Sequence, residues 1–105
     1  MTQDFSVASE PACWVKVVGE VDVSNAQDLA ASIDQPGPVV LDCSGLTFMD
    51  SAGFAVLVTA FKRARTNGSH FLVTGMSGTP LRSLQILKLN YLITGTATDD
   101  ESRSR

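Results

Sequence analysis

The stretch that most narrows the possible folds is VVLD, residues 39–42, set directly behind Gln35-Pro36-Gly37-Pro38. β-branched and apolar side chains on consecutive positions suit a strand covered on both faces better than a strand alternating between core and water. Such a strand has to sit inside a layered fold. The segments on either side of it show which kind.

Upstream, CWVKVVGEV at 13–21 is rich in β-branched and aromatic residues and is predicted to be a strand. DFSVA at 4–8 is predicted as its hairpin partner, turning through SEPA. SNAQDLAASI at 24–33 opens on Ser24 with Gln27 three residues later, the pattern of a capping box, and carries Leu29 and Ile33 as one buried stripe. The prolines of 36 and 38 end that helix.

Downstream, CSGLTFM at 43–49 is expected to lead out of the strand into a helix over 51–66, closed by Asn67-Gly68 as a left-handed cap. HFLVTG at 70–75 is expected to be another strand. Thr79 is expected to cap a third helix with Pro80 at its first position, where a missing N–H does no harm. NYLIT at 90–94 is expected to be a last strand, and 96–105 a frayed tail.

An opening hairpin followed by β-α alternation implies an α/β fold. It would have a four- to five-stranded mixed sheet, helices mainly on one face, and a single domain over 1–105 with an ordered core near 5–95. Apolar residues make up 44% of the 105, which is enough to build that core.

Charge and cysteine usage exclude several functions. A net charge of −3 argues against nucleic acid as a partner, because a phosphate backbone asks for a basic face. Lys62, Arg63 and Arg65 form the only basic cluster and suit the last turn of a helix, whose dipole favours cations there. The longest mainly apolar stretch, 54–61, is far short of the roughly twenty residues of a membrane span. The first nine residues lack a basic start and an apolar centre, so no signal peptide is expected and the chain reads as cytoplasmic. Cys13 and Cys43 are too few for a disulfide scaffold and lack zinc-knuckle spacing. The sequence calls for no metal, no cofactor and no membrane.

Chemistry concentrates in FMDSAGFAVL, residues 48–57, where Ser51 stands between Asp50 and an Ala-Gly pair at the start of a helix. Three readings compete. Asp50 or Ser51 can be an ordinary N-cap. Ser51 can be a nucleophile, echoing the G-x-S-x-G elbow, but Met49 replaces the first glycine and His70 is the sole histidine for a triad. Or Ser51 can accept a phosphate. A helix N-terminus tolerates an anion, whereas Asp50, with Asp22 or Asp42 at nearby strand ends, would make added charge repel a docked partner.

The following helix carries two apolar stripes, one of Ala52, Ala55, Val56 and Ala60 and one of Phe54, Leu57, Val58 and Phe61. Two stripes mean burial from both sides or an exposed contact patch, with Phe54 the expected partly exposed member.

GEVD at 19–22 and LDCSGLTFMDSAG at 41–53 resemble the STAS domain, and in particular the stand-alone anti-sigma factor antagonists, over about residues 5–95. The resemblance implies a non-enzymatic regulator. In its unphosphorylated form it would bind an anti-sigma factor that is also a serine kinase, and so release a sigma factor. Phosphorylation at Ser51 would break the complex and a PP2C-type phosphatase would restore it.

It also implies a partner-binding face of Asp22, Ser24, Asp50, Ser51, Ala52, Gly53 and Phe54. Ala52 stands where many relatives have a second serine, leaving Ser51 as the motif's only hydroxyl, and Phe54 replaces the usual leucine. Lys88 falls where the family often has glycine in a left-handed cap, at a cost of about 1 kcal/mol if that geometry is kept. Within the same fold the rival reading is a STAS module that no kinase modifies, acting as a scaffold or binding a small ligand. A small serine hydrolase is the remaining alternative.

Overall fold

Apolar alternation and turn chemistry generate the element order β1 (Cys13–Val21), α1 (Ala26–Ser32), β2 (Val39–Met49), α2 (Ser51–Thr66), β3 (Phe71–Thr74), α3 (Gly78–Ile86) and α4 (Tyr91–Thr94). This is a computed structural model, describing residues 12–95. The expected strand at 4–8 and the tail over 96–105 lie outside the described residues.

The sheet runs β1-β2-β3 with both pairs parallel. It is thus a mixed α/β arrangement with three described strands, against the four or five expected. Part of the difference is the 90–94 segment, which is a one-turn helix. An apolar run that short does not reveal its period. Here Leu92 is fully buried and the Tyr91 ring packs on Phe61, centroids 4.8 Å apart.

Each parallel pair needs a crossover, and α1 and α2 supply them, touching each other and the sheet. Val39, Leu41 and Cys43 are buried, while Val40 and Asp42 between them are only half-buried. The expectation that 39–42 is covered on both faces therefore gives way to alternation, because both crossover helices pack on one face. Burial, aided by the neighbouring Asp42 charge, pushes the Cys43 thiol up to about 12. β1 alternates likewise, with Trp14, Lys16, Val18 and Glu20 exposed.

β2 does not end at residue 42. It pairs with β3 only over Val39–Asp42, then continues beside β1 to Met49, and two register shifts each fit one extra residue of β2 against β1.

Two helix starts differ from expectation. α1 begins at Ala26 without a capping box, since the Ser24 hydroxyl donates to Asp22. Ser77, not Thr79, precedes α3. Pro80 is then its third residue, still within the first turn, where an N–H has no intrahelical partner.

α2 spans Ser51–Thr66 as expected, and Gly68 closes it at φ +70°. Leu29 and Ile33 are buried as expected. Lys88 takes φ +62°, the left-handed cap position, and is the only non-glycine with positive φ among the described residues. One core joins the buried residues of every element, from Val21 through Leu57 to Leu92.

Candidate functional site

Parallel register places the ends of β1 and β2 side by side, with Val21 opposite Met49. The next residue on each strand is an aspartate, so Asp22 and Asp50 emerge together at the sheet's C-terminal edge. The Asp50 amide donates to the Val21 carbonyl, which joins the start of α2 to the end of β1.

Asp50 is the N-cap. Its Oδ1 accepts from the Ala52 amide at 2.9 Å and the Gly53 amide at 3.2 Å. Ser51 is consequently the first helical residue, exposed, with its hydroxyl outside the cap. The two candidates for capping thus separate, with the carboxylate as cap and the alcohol as the presented group.

Gly53 has a structural reason. A Cβ there would lie 2.5 Å from Met49 Cγ and 3.0 Å from Val21 Cγ1, so a side chain would force either Met49 or the start of α2 to move. The close approach also turns Phe54 inward. It is 3% exposed and joins Leu57 and Phe61 in the core, so the expected partial exposure of Phe54 is not found. Neither Gly53 nor Phe54 offers a side chain to a visitor. Of α2's two stripes, Phe54, Leu57 and Phe61 with Ala60 face the core, while Ala52 and Val56 are half-buried and Ala55 is exposed.

Asp22 heads a tight turn. Its Oδ1 accepts from the Ser24 amide at 2.9 Å and from the Ser24 hydroxyl at 2.5 Å. The hydroxyl first, then the amide, holds the carboxyl below its ordinary value, so Asp22 is a fixed anion near neutral pH. Asn25, which the sequence reading missed, fastens this turn. Its Oδ1 accepts the Asp22 N–H and its Nδ2 donates to the Glu20 carbonyl, both at 2.9 Å. Only its place next to a Ser-capable turn hinted at that role.

Asp42 does not belong to the site. It lies inside β2, paired with Lys16 and Thr74, seven residues before Met49 and so about 23 Å away along the strand. The Ser44 amide, then its hydroxyl, lowers the Asp42 carboxyl, with Lys16 adding to the effect.

His70 is equally remote. Its carbonyl accepts from the Val39 amide at the N-terminal edge of the sheet, with the sixteen residues of α2, about 24 Å, separating the two ends. Ser51 therefore has no histidine within reach to act as a base, and the hydrolase reading loses its geometry.

Sequence reasoning also missed Val23, which is 77% exposed at the tip of the Asp22 turn. With Ala30, Ala52, Ala55 and Val56 it lines a shallow trough between α1 and α2. Arg63 lines the trough too and pairs with Asp34, Nη1 to Oδ1 at 2.9 Å.

Among the described residues, no group of three or more His, Cys, Asp and Glu side chains is placed to hold a metal ion. Nor is any described helix long and apolar enough to cross a membrane.

Two comparisons bear on this arrangement. The family model described as "STAS domain" matches residues 6–102. Among solved structures, the chain is similar to the one titled "Structure of the Anti-Sigma Factor Antagonist SpoIIAA in its Unphosphorylated Form". The TM-score is 0.59 at 18% identity, over 70% of this chain and 72% of that one. At that identity the likeness is one of fold.

Proposed function

The chain belongs to the STAS domain family, and from that premise we propose that it is an anti-sigma factor antagonist, with Ser51 as its phosphate acceptor. The unphosphorylated face around Ser51 docks an anti-sigma factor with serine kinase activity, and the sigma factor is released. The partner transfers the γ-phosphoryl of ATP to Ser51 Oγ. An O–P bond forms, the bond to ADP breaks, and the hydroxyl proton leaves to a base on the kinase. The chain is substrate and ligand here, not enzyme, and works in the cytoplasm. A PP2C-type phosphatase hydrolyses the ester and resets it.

The observation that carries this reading is the division of labour at the start of α2. Asp50 performs the capping, so the exposed Ser51 alcohol can be modified without unwinding the helix.

The same division explains the switch. The Ala52 and Gly53 amides, the natural donors to a phosphate at this position, already serve Asp50. A group carrying about −1.5 to −2 charges is then added at an edge that already bears Asp50 and Asp22. A surface that fitted the neutral alcohol meets concentrated negative charge and is repelled.

The test is incubation with ATP and, in turn, each serine-kinase anti-sigma factor of the source genome, followed by intact-mass measurement. Wild type gains one phosphate, Ser51→Ala gains none, and a PP2C phosphatase removes it. Equal labelling of the alanine variant would overturn the assignment.

A further inference from the structure

We infer that Val23 is the specificity-determining contact of this chain, entering an apolar recess on the kinase partner, and that Asn25 is the positioning residue that holds it ready. The inference rests on the functional reading above and adds to it a recognition element separate from the acceptor.

An isolated exposed valine carries no meaning by itself. Val23 differs from the others in how it is held and in what surrounds it. Its turn is fixed on all sides. Asn25 joins the Asp22 amide to the Glu20 carbonyl, Ser24 gives its amide and hydroxyl to Asp22, and the amides of Asn25 and Ala26 both donate to the Asp22 carbonyl. Ordering a free loop on binding costs conformational entropy at every residue that becomes fixed. This loop is already ordered, so an apolar side chain at its tip keeps most of its burial energy as affinity.

The surroundings define the partner. Val23 borders the trough that holds Ala52, and Ala52 follows Ser51 directly. A kinase that brings ATP to Ser51 and rests on this trough therefore covers Val23. The carboxylate of Asp22, fixed by Ser24, stands next to that valine in the chain, and Asp50 follows the neighbouring strand. The complementary surface is an apolar recess bordered by neutral hydrogen-bond donors, in which the donors set orientation on the two carboxylates and the recess discriminates between partners.

Calorimetric titration with the kinase that phosphorylates Ser51 tests this, using Val23→Ala, Asn25→Ala, the double variant, Ser51→Glu, and Ile86→Ala as control. Ile86 is 71% exposed on α3, outside both the turn and the trough. Val23→Ala and Asn25→Ala are each expected to weaken binding about tenfold, on the scale of two buried methyl groups. The double variant should fall short of the product of the two losses, because Asn25 acts through Val23. Ile86→Ala should bind as wild type.

In the kinase assay, Asn25→Ala should raise KM and leave kcat unchanged, which a general loss of structure would not do. Unchanged affinity of Val23→Ala beside a weakened Ser51→Glu overturns this inference alone. Unchanged affinity of Ser51→Glu overturns the functional reading with it, as does the absence of any kinase in the genome that binds the chain.

Discussion

The amide of Asp50 donates to the carbonyl of Val21 at 3.1 Å, so the cap of α2 is also a cross-link between two parallel strand ends. Through that bond Ser51 and the Asp22 turn are referenced to the same point of the backbone. Cap, cross-link and presented alcohol are consecutive properties of two residues, and they can be separated by substitution.

Asp50→Ala removes the acceptor for two first-turn amides and is expected to destabilise the fold by about 1 kcal/mol. In a domain of this size that lowers Tm by roughly 4–8 °C. Asp50→Asn keeps a capping oxygen and should stay near the wild-type Tm. Scanning calorimetry of the pair checks it, and equal losses would mean that charge, not the cap, stabilises the helix start.

Gly53→Ala is expected to cost about 1–3 kcal/mol, the usual range for forcing a methyl group into a filled site. The obstruction is Met49, the nearest atom to a Cβ at 53. Combining Gly53→Ala with Met49→Ala should therefore give a loss smaller than the sum of the two single losses. Urea unfolding of the four proteins measures it, and strict additivity would refute the contact.

Lys88→Gly should stabilise the protein by about 1 kcal/mol, because the backbone holds φ +62° in a region that glycine enters without a Cβ penalty. The denaturant midpoint is expected to rise with an unchanged slope. A fall in the midpoint would show that the lysine side chain contributes more than its backbone strain removes.

Acid should loosen the Asp22 turn. Its carboxyl titrates below the ordinary 3.8 because the Ser24 hydroxyl and amide donate to the ionised form. Between the folded midpoint and 3.8 the unfolded chain binds more protons than the folded one. The stabilisation is thus whole above that window and lost as pH falls through the folded midpoint. Ser24→Ala removes the first of the two donors, so NMR titration should show the Asp22 midpoint moving up toward 3.8. No movement would mean that the hydroxyl bond does not persist in solution.

Much of this was legible beforehand where one local rule acted alone. The bounds of α2 followed from Ser51 and Asn67-Gly68, whereas the left-handed position of Lys88 came only from the family resemblance. Local rules failed where groups competed over distance. Ser24 and Gln27 satisfied the capping-box spacing, but Asp22 took the hydroxyl. The 90–94 segment has strand-like residues, but Phe61 and the core selected a helical turn.

At the site, Ser51, Asp50 and Asp22 came from the motif, whereas the inward turn of Phe54 depends on how closely Gly53 lets α2 approach. Asn25 was invisible because its work is to join two backbone groups that only the bend after β1 brings near each other.

The short pairing of β3 has a consequence for how information leaves the molecule. Among the described residues, the second strand runs on beyond Asp42 with β1 as its only sheet partner, and Ser51 follows at the tip of this two-stranded prong. On the function proposed above, an ester on Ser51 would sit more than about 20 Å past the last rung that β3 shares. A mark at that tip would be read from outside, by whatever tries to grip it, while the body of the protein stays as it was.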